Sequence, residues 1–357
     1  MKPQVKAAQD RPETGAIRMS FGDFARAVFT VAVASLAASS AGADFNDKGP
    51  INYTVDGGTA GGYLKVVTEA INGLIRETYP GSAATYKPGS PAGGILNISR
   101  GQSDLTFNAA SPEIRYALEG KAPFTESLKG KFTFVMRLHQ AQLMHALMTK
   151  EWADRHGIRS FDDIAAKKPP MRLAVNQIAT LQATVAMYGA VFDVYGIKEA
   201  EVTKGGSLFR SNASGGMEAL RDGKIDVFIN GGFLPTAEIV DIARGRPLLW
   251  ISGDPAKIKA AADRWSNDTL TVPKGAYPFV TQDETTIVIW SAILAGTHVS
   301  EETVYKLIKA MAENGDRVRS IHPSLAQFAL DKAFRNPTEL SYHPGAVRYY
   351  REVGLLK

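Results

Sequence analysis

From Ile51 onward the chain alternates short β-rich runs with amphipathic helical stretches, a pattern that selects α/β layering over a sandwich or a bundle. Strands are predicted at 52–55, 84–87 and 104–108, with helices over 63–79, 94–100 and 112–119. In the first helix Val66, Ala70, Leu74 and Ile75 recur at helical spacing and give the expected core face. Further on, 171–175, 200–203, 226–230 and 248–251 read as strands, and 181–195, 216–221, 236–243 and 255–265 as helices. Between the two sets, 152–164 reads as a loop and short helix. Helices over 301–314 and 323–334 complete the pattern, and the sheet is expected to be parallel. Two longer β-rich runs, 132–148 and 285–294, match each other and are expected to cross between two lobes as a hinge. Lobe I then comprises 44–149 and 282–357 and lobe II 150–281, with a ligand cleft at the strand carboxyl ends.

The first 43 residues stand apart. Arg26 leads into the apolar run 27–38, then Ser39-Ser40-Ala41-Gly42-Ala43 and polar Asp44, the charged, apolar and small-residue succession of a secretory signal. The run is too short to span a bilayer. Translation from Met19 and an unusually long leader are both compatible with the polar stretch before Met19. Cleavage after Ala43 leaves 314 of 357 residues, enough for two lobes with substantial cores. The chain is formally +5, and the leader carries five Lys or Arg against three Asp or Glu, so the remainder is +3. That balance mildly favours anionic ligands. No basic run interleaved with aromatics points to nucleic acid. The absence of cysteine excludes disulfides, a thiolate nucleophile and zinc-thiolate sites, and with export it fits a bacterial periplasm.

The turn Gly57-Gly58-Thr59-Ala60-Gly61-Gly62 lies between the first strand and the helix starting at Tyr63. Glycines allow close backbone approach, and the first helical turn offers unpaired N–H groups and the positive end of the dipole, a cradle for a small anion. A plain strand-to-helix turn is the alternative. Other loops at the same edge are 88–94, containing Ser90, and Asn108-Ala109-Ala110-Ser111, where Ser111 also reads as a helix N-cap. In lobe II the matching positions are Gln177 and Thr180, the latter also a plausible cap, and Asn230-Gly231-Gly232-Phe233. Gln177, Thr180 and Asn230 are expected to close on the ligand, with Tyr277 and Phe233 as apolar walls. Arg210 and Lys204 are possible carboxylate partners or merely solvated cations.

His139, His145, His156, His298, His322 and His343 show no metal-ligand spacing, and no nucleophile elbow, phosphate loop or dinucleotide fingerprint is present. Asp162-Asp163 falls in a helix-start context and reads as a cap. No catalytic constellation is visible, so a non-enzymatic binding role without metal or cofactor is favoured.

Segments in order along about 290 residues carry a family likeness. They are Gly57 to Gly62, Gly94-Ile95-Leu96-Asn97-Ile98, Gly101-Gln102-Ser103-Asp104-Leu105, Glu218 to Asp226 and Pro235-Thr236-Ala237. Near the end come Pro273-Lys274-Gly275-Ala276-Tyr277-Pro278, Val304-Tyr305 and His343 to Glu352. The chain resembles the TAXI family, the extracytoplasmic solute-binding subunits of tripartite ATP-independent periplasmic (TRAP) transporters. The resemblance implies a type II periplasmic binding protein fold, two α/β lobes closing on a small organic acid or acidic amino acid such as glutamate. It also implies a monomer that delivers its ligand to TRAP membrane permease subunits. Two departures stand out: Ile178-Ala179-Thr180 replaces a family Ser-Gly-Thr turn, and Asn108-Ala109-Ala110-Ser111 lacks a Gln-Ser pair. Both remove polar groups from ligand loops and leave room for a smaller or less polar acid than glutamate.

Overall fold

In the computed structural model the described residues are 48–58, 63–177 and 182–357, with the side chains of residues 140, 141 and 182 left aside. The segment read as a leader and the turn at residues 59–62 therefore lie outside the described residues, as do residues 178–181.

The two long apolar runs form the longest strands, β4 (Phe132–Thr149) and β10 (Glu284–Gly296), and pair antiparallel along most of their length. Every residue of β10 except Thr285 is buried, so it reads as a continuous apolar run rather than an alternating one. On one side lie β1 (Asn52–Gly58), β2 (Ala83–Pro88) and β3 (Leu105–Ala109), linked through α1 (Tyr63–Thr78) and α2 (Pro91–Ser99), with α3 (Ser111–Glu119) after β3. On the other lie β5 (Arg172–Val175), β6 (Ser207–Arg210) and β7 (Val227–Gly232), with α4 (Lys150–His156) and α5 (Phe161–Lys167) before them. Helices α6 (Gln182–Tyr195), α7 (Glu199–Val202) and α8 (Ala213–Arg221) connect these strands. Then follow α9 (Ala237–Gly245), β8 (Leu248–Trp250), α10 (Pro255–Asp263) and β9 (Asp268–Val272). The sheet order is β2-β1-β3-β10-β4-β7-β5-β6, with β8 beside β4 and β9 beside β10. Two layered α/β halves joined by two crossing strands are the architecture expected from the sequence.

Several local expectations need correction. The sheet is mixed, because β4 and β10 run antiparallel to the strands on either side of them, and only β1 with β2 and β3, and β5 with β6 and β7, pair parallel. Residues 200–203 are helical, within α7 and its cap, and the strand comes later as β6. The core stripe of α1 is Leu64, Val67, Ile71, Leu74 and Ile75, which keeps Leu74 and Ile75 of the expected face but replaces Val66 and Ala70 by the residues after them, so that Val66 faces outward and is 56% exposed. After α11 (Glu301–Glu313) comes α12 (Gly315–Ile321), and the expected helix over 323–334 is broken into a single 3₁₀ turn and the short α13 (Leu330–Ala333). The break falls where Ala329 is extended.

The C-terminal α14 (Pro344–Glu352) packs on α11. His343 caps it by accepting the Gly345 N–H on Nδ1 and reaches the Val299 carbonyl through Nε2 at 3.1 Å. A Cβ at Gly345 would lie 2.2 Å from the Glu301 carbonyl oxygen and 2.8 Å from the Tyr305 nitrogen, both backbone atoms. Gly345→Ala should therefore separate the helices and cost about 1–3 kcal/mol of stability. An unchanged urea midpoint would show that the contact tolerates a methyl group.

Candidate functional site

β7 ends in Asn230-Gly231-Gly232 against β4, where Asn230 faces His145 and Gly231 faces Met144 in register. Side chains of β4 lie close over the last two positions. A Cβ at Gly231 would meet the Gln142 amide nitrogen at 2.9 Å, and one at Gly232 would meet the His145 ring at 3.0 Å. The chain then turns through a cis Leu234–Pro235 peptide into α9. The Thr236 hydroxyl donates to the Phe233 carbonyl, and α9 begins without a side-chain cap.

A cavity of about 410 Å3 opens at this corner, a size in the range that holds small molecules. Its apolar floor is Met217, Phe228 and Ile239, and its polar groups include Gln142, His145 and Thr236. The facing wall comes from far away in sequence: Tyr63 at the start of α1, and His322 with Pro323 in the turn after α12. Phe233 meets that wall edge-on, 4.9 Å from Tyr63 and 5.4 Å from His322 between ring centroids, while Tyr63 stacks on His322 at 5.4 Å.

The site is electrically neutral near pH 7. Tyr63 and His139 share a hydrogen bond of 2.8 Å between the phenol and Nε2. Burial raises the Tyr63 phenol well above its ordinary range, so it stays protonated. Burial, and then nearby His322, lower His139 to about 4, and burial lowers His145 to about 4. His322 is also lowered by burial. Its Nδ1 accepts the Ser324 backbone N–H, so the neutral ring carries its proton on Nε2 and offers a donor at the cavity wall. Behind the cavity the Tyr277 hydroxyl contacts His145 Nε2 at 2.8 Å and accepts the Thr236 N–H at 2.9 Å.

The structure distributes the sequence candidates unevenly. Tyr63, Gly231 and Phe233 meet at the cavity. Tyr277 is fully buried and supports His145 from behind instead of forming a wall. Asn230 is locked in an amide pair with Asn176 at 2.7 Å. Gln177 is exposed. Gly58, Ser90 and Asn108 gather at the carboxyl ends of β1, β2 and β3, where each serves the local fold. The Gly58 carbonyl accepts the Gly89 N–H, Ser90 caps α2 through the Gly93 N–H, and Asn108 donates to the Gly57 carbonyl. Ser111 is the first residue of α3 and makes no cap. Its hydroxyl donates to the Trp265 carbonyl and accepts from Asn267. Thr59, Ala60, Gly61, Gly62 and Thr180 lie outside the described residues. Arg210 is held by Glu199 in a two-oxygen ion pair, and Asp163 is the capping-box partner of Ser160.

Sequence reasoning missed Gln142, His145, Met217 and His322, because only the fold brings these distant positions together. It also missed Glu113. This carboxyl is buried where α3 meets α6, and its Oε1 accepts the Ala183 N–H at 2.9 Å. Its Oε2 is buried without a partner. Among the described residues no group of three His, Asp or Glu could hold a metal, and no helix is long and apolar enough to cross a membrane.

A family model matches residues 56–354, nearly the whole described part. The chain belongs to the NMT1-like family. Solved structures similar to it include MatC from Rhodopseudomonas palustris with bound malate, at 14% identity over 85% of this chain and 97% of that one, TM-score 0.48. Another is a TctC solute-binding protein from Polaromonas, at 16% identity over 79% and 88%, TM-score 0.48. A third is the binding component of a phosphonate ABC transporter from Pseudomonas aeruginosa, at 13% identity over 78% and 80%, TM-score 0.45.

In this family member burial pushes the Glu113 carboxyl up from an ordinary 4.5 to about 7. A raised folded-state value means that the associated stability is complete below the unfolded value and is lost as pH rises through about 7. Glu113→Gln keeps an oxygen for the Ala183 N–H and removes the charge. Urea unfolding should find the variant equal to the parent near pH ~5 and more stable at pH ~8, on the order of 1–3 kcal/mol. A difference independent of pH would mean that the carboxyl ionises in the folded protein at the same pH as in the unfolded chain, so that burial does not raise it.

Proposed function

We propose that this NMT1-like protein is an exported, non-catalytic solute receptor of the TAXI type, which captures a small acid between two lobes and hands it to a TRAP membrane permease. Family membership over residues 56–354 supports the receptor reading. The observation that carries the site is the cavity itself. One wall, Tyr63 and His322, belongs to the lobe assigned to 44–149 and 282–357, and Phe233, Met217 and Ile239 belong to the lobe assigned to 150–281. A solute there touches both lobes at once. Contacts available only in the closed arrangement shift the population toward it, and closure is what a permease can read. The glycine-rich turn that ends at Gly62 leads directly into Tyr63 in sequence, which makes its backbone N–H groups natural candidates for the acid's head. The succession at 27–43 supports export to the periplasm by a cleaved signal.

The groups at the cavity support binding over chemistry. The imidazoles are neutral, the Tyr63 phenol is protonated, and His139 and His145 are each bonded to a tyrosine hydroxyl. Native mass spectrometry of the purified protein, followed by thermal-shift screening of organic acids and amino acids, tests the proposal. A ligand at 100 times its Kd adds about 2.7 kcal/mol, so a cognate acid should raise Tm by roughly 5 °C. The acid should be recovered chemically unchanged. Turnover of the bound acid, or no shift across the panel and no co-purified molecule, would defeat the receptor reading. Permease genes beside the coding sequence would separate a TRAP partner from an ATP-driven one.

A further inference from the structure

Resting on the receptor reading, we infer that the cavity selects a monocarboxylic acid with an apolar, ring-bearing or branched body, and rejects dicarboxylates. The first ground is the charge inventory. Among the described residues that line the cavity there is no Lys, Arg, Asp or Glu. Residues 59–62 and 178–181, outside the described residues, contain none either in sequence, reading Thr-Ala-Gly-Gly and Ile-Ala-Thr-Leu. Neutral histidines add no compensating charge. A second carboxylate entering this space would be desolvated without a cation to face it.

Two cations of the sheet are committed to partners within the protein. Arg210, the candidate closest in the fold to the Asn176–Asn230 pair, is bound by both oxygens of Glu199 and touches Tyr188. Arg137 lies over Trp290 and pairs with Asp268. The start of α6, which follows Thr180, one of the residues expected to close on the ligand, already holds a carboxyl from the protein, Glu113 on the Ala183 N–H. A ligand carboxylate there would meet a buried acid.

The second ground is the surface that remains. Met217, Phe228, Ile239, Pro235 and the Tyr63 and Phe233 rings give the solute an apolar enclosure. Among the described residues that line the cavity, the polar groups free for a ligand are few, chiefly the Gln142 amide and the His322 Nε2–H, enough for one hydrogen-bonding head. The rings do not form a cage for a quaternary ammonium. Phe233 presents itself edge-on to both Tyr63 and His322, and Tyr63 and His322 cover each other's faces.

The test is isothermal titration of the full chain with phenylacetate and 4-methylpentanoate against succinate, L-glutamate and glycine betaine. The expected result is binding of at least one apolar acid, with the dicarboxylates weaker by about 100-fold or more. Phe233→Ala should weaken the apolar acids by about tenfold, consistent with truncating an aromatic anchor, while the unliganded variant still unfolds cooperatively at a Tm lowered by a few degrees (about 2–6 °C). Met217→Arg supplies the missing cation and should move the preference toward succinate by at least about tenfold. If that variant lacks a cooperative unfolding transition, Gln142→Arg makes the same comparison from the facing strand. Succinate, glutamate or betaine binding the parent as tightly as the apolar acids overturns this inference and leaves the receptor reading standing. No binding by any probe, with no molecule co-purified, overturns both.

Discussion

The antiparallel pairing of β4 with β10 is the constraint on which the rest depends. Both strands are covered on both faces, so every polar group they bring inside needs a partner. The Trp290 indole donates to the Ser266 carbonyl, Ser291 to the Phe107 carbonyl and Thr286 to the Met144 carbonyl. These bonds tie β10 to the segments around it on either side. Register shifts near Ile289, Ser291 and Ile293 bend the pair where it passes from one half of the sheet to the other. The same strand β4 carries Gln142 and His145 to the cavity and His139 to the Tyr63 hydroxyl. The element that joins the halves therefore also supplies the polar floor between them.

Neutrality at this floor follows from burial. An imidazolium sealed from water without a carboxylate beside it is costly, so His139 and His145 give up the proton and bond to tyrosine hydroxyls. Glu113 meets the same penalty with the opposite sign and rises toward neutrality. At these three groups the protein thus removes buried charge by shifting protonation rather than by pairing ions, while Arg210 and Glu199 pair at a half-exposed position.

Much of the architecture was legible because it depends on local periodicity. The alternation of elements, the two long apolar runs and the Ser160–Asp163 cap all follow from patterns spanning a few residues. Strand direction does not, since an apolar run reads alike in either sense, and a parallel sheet was the wrong inference. β6 and β9 escaped notice because Ser207–Arg210 and Asp268–Val272 are short and largely exposed, and their conformation is set by the strands they pair with. The site was legible only in part. Glycine at 231 and the aromatic at 233 announce a ligand loop, whereas Tyr277 looked like a wall and turned out to be a support. Its hydroxyl is consumed by His145 and Thr236, a fact that no spacing along the chain encodes.

The aromatic cluster bears on how such a receptor would work. Phe233 reaches from the loop after β7 to Tyr63, His139 and His322, and these contacts are made by the protein's own groups. Edge-to-face pairs contribute about 0.5–1.5 kcal/mol each, so three of them amount to roughly 1–3 kcal/mol once their overlap is allowed for. That is comparable to the few kcal/mol separating open and closed states of a two-state protein. In the proposed receptor these ring contacts would favour the closed arrangement before any solute contributes. A solute needs to add only a modest difference in contact energy to tip it, and an apolar body packed against the same rings supplies that difference without introducing charge.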